Sequence, residues 1–222
     1  MNLFARFSAG VAAVALCSLS VPALAGSFQV SVVDKEGKPV PDAVVVLQVT
    51  GADLPKTGLP AQVTITQEKM RFLPPVALVA VGAKARFVNN DSWEHHVRAS
   101  ASGAAQFSAA PGEGFELRLD GKAEGKPAKT ADASFDKAGA VLLGCHLHSS
   151  MRGHVYVSDS PWAALTGTDG LASFDAVPAG ATRVRVWHAD QLVDLPVQQV
   201  NLTAAPAKAT VQLSVVPRRR RI

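Results

Sequence analysis

The sequence predicts an all-β protein, and three observations support this. Hydrophobic residues make up 48% of the 222 residues, which is enough for a sizeable core in one or two domains. Its 17 glycines and 14 prolines favour short strands and many turns. Several runs alternate apolar and polar residues with a period of two, and no segment shows a sustained helical period.

The first strands are expected soon after position 26. Phe28, Val30 and Val32 alternate with polar residues, and residues 43–49 form an apolar run. Residues 34–41 (DKEGKPVP) between them have the composition of a turn. Two such runs around a turn predict a β-hairpin, and a loop over residues 50–60 follows.

A second series of strands begins at Gln62. Residues 62–66 alternate, and the runs 76–81 and 84–88 flank Gly82, which suits a tight turn. A polar loop at 89–92 precedes a strand over 95–100. Residues 101–137 contain few large apolar side chains, so this segment predicts a long connection with one or two short strands.

Strands are predicted over 141–143 and 154–157, on either side of the segment GCHLHSSMRG. The third series of strands follows them. The tripeptide TDG at 168–170 predicts a hairpin turn. VPAG at 177–180 predicts another turn, with a strand at 184–187 after it and a last strand over 210–216.

The N-terminus has the features of a secretory signal peptide. Arg6 precedes an apolar stretch over residues 11–16, and Ala23-Leu24-Ala25 offers an A-x-A cleavage site. The apolar run is too short for a stable membrane span, although an uncleaved anchor is the alternative. The segment predicts export to the periplasm and a mature chain that begins at Gly26.

Cleavage would change both the cysteine count and the charge. Cys17 would leave with the signal peptide, so Cys145 would stand alone, either buried as a small apolar residue or occupied by a metal. Loss of Arg6 would lower the net charge from +4 to +3. The run Arg218–Arg221 predicts a solvated tail, with an anionic surface as a candidate partner. No nucleic-acid-binding module is recognised.

The residues that carry chemistry lie in the segment between the predicted strands 141–143 and 154–157. Cys145, His148 and Met151 have the spacing C-x2-H-x2-M. Soft sulfur ligands select copper or zinc, and the combination of Cys, His and a weak Met is typical of copper electron-transfer sites. A fourth ligand has to come from elsewhere, and His95 and His96 stand at the start of a predicted strand about fifty residues upstream.

Residues 62–158 resemble the cupredoxins, the type 1 blue copper proteins, and among them the amicyanin- and plastocyanin-like members. The matching pieces are Phe87–Asp91 (FVNND) leading to His95, and Cys145–Gly153 followed by alternating valines. The resemblance implies one copper ion, cycling between Cu(I) and Cu(II). It implies the following ligands: His95, Cys145, His148 and Met151.

The sequence departs from that family at two places. His96 stands where the family usually has Asn, and Ser149-Ser150 replaces a Pro-aromatic pair, which makes the ligand loop more polar. His146 should point away from Cys145 because it lies at a strand-to-loop transition. We therefore treat His96, His146 and Asn90 as neighbours of the site or alternative ligands.

The chain as a whole resembles exported proteins described as methylamine utilisation proteins. In these, a plastocyanin-like segment stands between strands that resemble a carboxypeptidase regulatory-like domain, here GKPV at 37–40, TDG at 168–170 and VPAG at 177–180. The predicted fold is a cupredoxin-like Greek-key sandwich with a split regulatory-like β-sandwich around it. The predicted divisions are a signal peptide (1–25), N-terminal strands (26–58), a copper domain (62–158), C-terminal strands (160–216) and a basic tail (217–222).

Three functions are compatible with this sequence. The first is one-electron transfer by a periplasmic blue copper protein, with a c-type cytochrome or a periplasmic dehydrogenase as its redox partner. The second is copper binding or delivery without redox cycling, and the third is a β-sandwich module that binds carbohydrate or protein. An enzyme is not predicted, because the sequence has no nucleophile–base–acid set with convincing spacing and no glycine-rich phosphate loop.

Overall fold

The computed structural model describes residues 25–51, 58–103 and 114–218. Residues 1–24 of the predicted signal peptide (1–25) and residues 219–222 of the predicted basic tail (217–222) lie outside these ranges. Within them, no helix has the length and apolar character needed to cross a bilayer.

Strands account for the regular structure of the described residues, which confirms the predicted all-β class. The first half of the chain contains β1 (Ala25–Val33), β2 (Val44–Val49), β3 (Gln62–Glu68), β4 (Arg71–Leu73), β5 (Val76–Ala80), β6 (Ala83–Asn89), β7 (His95–Ala101) and β8 (Phe115–Leu119). The second half contains β9 (Lys129–Phe135), β10 (Gly139–Cys145), β11 (Arg152–Ser158), β12 (Ala163–Leu165), β13 (Leu171–Pro178), β14 (Gly180–Trp187), β15 (Gln198–Leu202) and β16 (Ala207–Gln212).

Strands β3 to β11 form two sheets that we call the central sandwich. One sheet has the order β5-β11-β10-β7-β8, and the other has the order β4-β3-β6-β9. Alternate residues of β6 face inward, so Ala83, Ala85, Phe87 and Asn89 are all buried. The long connection contains β8 and β9, in agreement with the one or two short strands predicted there.

The strands before and after the central sandwich pair with one another, and we call them the flanking sandwich. Its sheets have the orders β13-β1-β16 and β12-β2-β14-β15. Thus β1 pairs in parallel with β16, and β2 pairs in antiparallel fashion with β14. Phe28, Leu47, Trp162 and Leu213 belong to its buried core.

The predicted hairpin between the first two strands is wrong, because β1 and β2 belong to different sheets. The turn itself forms: the Asp34 carboxylate accepts hydrogen bonds from the amides of Glu36 and Lys38, at 2.8 and 2.9 Å. The chain then crosses to the other sheet. The same correction applies to the turn at 168–170, since β12 pairs with β2 and β13 pairs with β1.

A third apolar cluster joins the two sandwiches. Val44 and Val46 of β2 pack with Val76, Tyr156 and Trp187. The rings of Tyr156 and Trp187 have centroids 5.6 Å apart. Because β2 is covered on both faces, its sequence is a continuous apolar run with little alternation.

Candidate metal centre

Two neighbouring strands of the central sandwich bring His95 and Cys145 together. Strand β7 begins at His95 and β10 ends at Cys145. The strands are antiparallel, and Cys145 pairs with Val97. The start of one strand therefore lies beside the end of the other, which places a thiol next to an imidazole that is fifty positions away in the sequence.

The loop between β10 and β11 returns His148 to the same point. The Met151 amide donates to the His148 carbonyl at 3.0 Å, and the Cys145 amide donates to the Met151 carbonyl at 3.3 Å. These two bonds close a short turn at the end of the strand pair. Cys145 and Met151, the ends of the C-x2-H-x2-M motif, thus become direct backbone neighbours.

Three donor atoms converge at this end of the sandwich. Cys145 Sγ lies 3.6 Å from His95 Nδ1 and 3.5 Å from His148 Nδ1. All three donor atoms lie within 4.8 Å of one another. Bonds of about 2.0–2.3 Å from one ion to nitrogen and sulfur, at angles between tetrahedral and trigonal, place the ligand atoms about 3.5–3.8 Å apart. The three residues therefore fit a single transition-metal ion.

The surroundings of these donors are mostly apolar and closed. His95 is fully buried, and Cys145 and Met151 are buried within the central core. His148 is half-buried, so the site approaches solvent through this ring. The four predicted ligands thus lie at one end of the sandwich, with His148 as the most accessible of the three clustered donors.

Asp91 fixes the orientation of the His95 ring. Its Oδ2 atom lies 2.8 Å from His95 Nε2, and the carboxylate also accepts the amides of Lys69 at 2.6 Å and Met70 at 3.0 Å. Burial acts to raise the pKa of the Asp91 carboxyl, but the bonds from Met70, His95 and Lys69 outweigh it and hold this pKa below its usual value. An ionised Asp91 keeps the imidazole proton on Nε2, so Nδ1 offers its lone pair to a metal.

Asn89 holds the loop that leads to His95. Its Nδ2 group donates to the carbonyls of Trp93, Leu119 and Asp120 at 2.8, 3.1 and 3.1 Å. Its Oδ1 atom accepts the Asp91 amide at 3.0 Å. Sequence reasoning named the neighbour Asn90, whose side chain is exposed, and missed Asn89. An amide at an inward position of an alternating strand was the available signal.

His96 and His146 lie beside the three-donor cluster and are not members of it. The His96 amide donates to Cys145 Sγ at 3.5 Å, while its ring lies 5.8 Å from that of His146. His96 Nε2 is also 3.9 Å from a carboxylate oxygen of Glu116. His146 is exposed, so these two rings form a second histidine pair on the outer side of the strands.

No family model matches this chain, and no curated protein matches it. Solved structures do show likeness to it. Amicyanin from Paracoccus versutus is 23% identical, with 50% of this chain and 97% of that one covered and a TM-score of 0.33.

Two further solved structures are similar over nearly the same share of the chain. A pseudoazurin from Sinorhizobium meliloti is 19% identical over 45% of this chain and 75% of that one, with a TM-score of 0.32. Auracyanin A from Chloroflexus aurantiacus, a "blue" copper protein, is 18% identical over 44% and 98%, with a TM-score of 0.34. All three identities are below 25% and all three TM-scores are below 0.5.

Proposed function

We propose that this protein holds one copper ion in a type 1 site and transfers single electrons. His95, Cys145 and His148 would bind the ion, with the Met151 thioether as a weaker fourth donor. The observation that supports this is the pair of imidazole Nδ1 atoms at 3.6 and 3.5 Å from a single buried thiol.

The choice of metal rests on the chemistry of the donors. Thiolate and thioether ligands favour copper, zinc and iron–sulfur clusters, while imidazole suits copper and zinc. A buried methionine beside one cysteine and two histidines is typical of copper electron-transfer sites and unusual for structural zinc, which prefers four Cys or His ligands. Copper would supply reversible exchange of one electron between Cu(I) and Cu(II).

The protein would keep the ligands in one arrangement in both oxidation states. The Cys145 amide is bonded to Met151, the His95 ring to Asp91, and the loop before His95 to Asn89. These bonds resist movement of the ligands, which lowers the cost of electron exchange. Four side chains would leave no open position for a substrate, so we propose a carrier and not an enzyme.

We further propose that the carrier works in the periplasm with another redox protein. The predicted signal peptide supports export, and the half-buried His148 ring supports electron passage at this end of the sandwich. A c-type cytochrome or a periplasmic dehydrogenase is the class of partner we propose.

Visible absorption and electron paramagnetic resonance of the Cu(II)-loaded protein test the site. We expect an intense thiolate-to-copper band that disappears in Cys145→Ser. The variant is loaded with the same Cu(II). Its far-ultraviolet circular dichroism should match that of the unaltered protein, which would show that the band is not lost through unfolding. Colourless binding of Cu(II), or a spectrum that does not depend on Cys145, would contradict the proposal.

One observation favours a second candidate, copper delivery without redox cycling. The exposed His146 and the half-buried His96 form an imidazole pair beside the main cluster, with ring centroids 5.8 Å apart. Such a pair could pass Cu(I) to or from the buried donors. A reversible one-electron wave in cyclic voltammetry favours the carrier, whereas transfer of Cu(I) to a chelator that slows in His146→Ala favours delivery.

A further inference from the structure

Gln67 is a buried polar side chain that the site described above does not use. It is fully buried in the central sandwich. Its amide nitrogen and its amide oxygen both lack a hydrogen-bond partner among the described residues. A buried amide without hydrogen bonds destabilises the folded state, so its presence among apolar core residues requires an explanation.

Gln67 faces the inside of the sandwich at the end where the metal centre lies. The buried residues of β3 are Ile65 and Gln67, which lie on the same face of the strand. Gln67 pairs in parallel register with Asn89 of β6, the residue that holds the His95 loop. The amides of Lys69 and Met70, just after β3, donate hydrogen bonds to Asp91, the partner of His95.

Contacts on either side show which strands β3 faces. On one side, Phe72 of β4 packs against Gly153 of β11, where an added Cβ would lie 2.8 Å from Phe72 Cβ. On the other side, Asn89 of β6 donates to the Leu119 carbonyl of β8. Because β3 lies between β4 and β6, it faces the strands between β11 and β8.

Those two facing strands are β10 and β7, which carry Cys145 and His95 at this end. The inward side chain of Gln67 therefore lies on the face of β3 that is turned toward the ends of these two strands. Gln67 pairs with Phe72 of the adjacent strand β4. Phe72 packs against Gly153, which is two residues after Met151 in the chain. Gln67 thus lies in the buried layer at the same end of the sandwich as the three clustered donors.

We propose that Gln67 is a further donor to the metal, with its amide oxygen as a weak axial ligand that shares or competes for the position of the Met151 thioether. Glutamine oxygen serves as such an axial ligand in copper sites of this type. The inference rests on the proposed function. An amide oxygen is a harder donor than a thioether, so it would favour Cu(II) over Cu(I) and lower the reduction potential.

The test compares Gln67→Met, Gln67→Leu and Met151→Leu with the unaltered chain. Gln67→Met keeps the unbranched shape of the side chain and removes the amide oxygen. Gln199→Leu, an exposed glutamine on β15 of the flanking sandwich, is the matched control. Each protein is loaded separately with Co(II), whose visible spectrum reports coordination number, and with Cu(II) for paramagnetic resonance. The metal-free forms are unfolded in urea.

Both Gln67 variants should change the Co(II) spectrum and the Cu(II) hyperfine splitting, and should weaken Co(II) binding about tenfold, the lower end of the losses seen when supporting groups are removed. The metal-free Gln67→Leu protein should unfold at equal or higher urea concentration, since an unsatisfied amide has been removed. Gln199→Leu should match the unaltered chain in both spectra.

Unchanged spectra and affinities in both Gln67 variants, together with altered spectra in Met151→Leu, would overturn the role of Gln67 and leave the proposed copper site intact. Marked loss of stability in the metal-free Gln67 variants, with unchanged metal spectra, would show that the amide serves the fold and would also overturn it. Failure of the unaltered chain to give a Cys145-dependent Cu(II) spectrum would instead overturn the proposed function.

Discussion

Replacing Asn89 with leucine should destabilise the central sandwich by about 3 kcal/mol. The Asn89 amide has two hydrogens for three carbonyls, and its oxygen accepts the Asp91 amide, so three strong hydrogen bonds are lost. At about 1 kcal/mol for each buried hydrogen bond, the sum is about 3 kcal/mol. Leucine fills nearly the same space, so the loss reports the hydrogen bonds more than a cavity.

The measurement is urea unfolding of the metal-free protein, followed by far-ultraviolet circular dichroism. The control is Asn90→Ala at the adjacent exposed position, which should change the free energy of unfolding by less than about 0.5 kcal/mol. Metal affinity should fall as well, because the loop before His95 is released. A loss below about 1 kcal/mol for Asn89→Leu, or equal losses for both variants, would refute this account of Asn89.

Three other changes have definite expected results. Gly121→Ala would place a methyl group against the backbone of Ser92 and 2.8 Å from the Trp93 amide nitrogen, so we expect weaker metal binding by titration, and unchanged binding would contradict the assigned packing. The pKa of Asp91 lies below its unfolded value of 3.8, so the stability that the ionised carboxylate contributes is present above pH 3.8 and is lost as the pH falls further. In acid unfolding of the metal-free proteins, Asp91→Asn should therefore lose less stability below pH 3.8 than the unaltered chain does. Burial raises the pKa of Tyr156 above 10.0, so the stability that the neutral phenol contributes is present below pH 10.0 and is lost as the pH rises. Alkaline unfolding of Tyr156→Phe should therefore begin at a higher pH than that of the unaltered chain. Identical unfolding profiles would count against the burial of Tyr156.

The parts of this protein that could be predicted from sequence are those encoded by nearby residues. Alternation in runs such as Phe28–Val32 indicated strands, and the spacing of Cys145, His148 and Met151 indicated a ligand loop. The turn residues at 34–41 indicated a reversal and did form one. Which sheet the chain enters after a turn depends on pairing with strands far away, and this is why the predicted hairpin was wrong.

Residues that act through distant partners escaped the sequence reasoning for the same reason. The role of Asp91 depends on the amides of Lys69 and Met70, about twenty positions earlier, and Asn89 depends on carbonyls up to 31 positions away. Gln67 lies directly after the alternating run 62–66, and its sequence neighbours gave no sign of its role. Only the pairing of β3 between β4 and β6 shows that Gln67 lies inside the sandwich, at the end that carries the proposed metal ligands.

The parallel pair of β1 and β16 has a consequence for the order in which the molecule folds. Phe28 of β1 pairs with Ala207, so β1 has no parallel partner until nearly the whole chain is present. All sheet pairs of the central sandwich lie between Gln62 and Ser158, and contacts closer in sequence form faster. We therefore expect the central sandwich to form first and the flanking sandwich to close around its ends last. A chain interrupted before β13 would expose both edges of β1, which makes late truncation a route to aggregation.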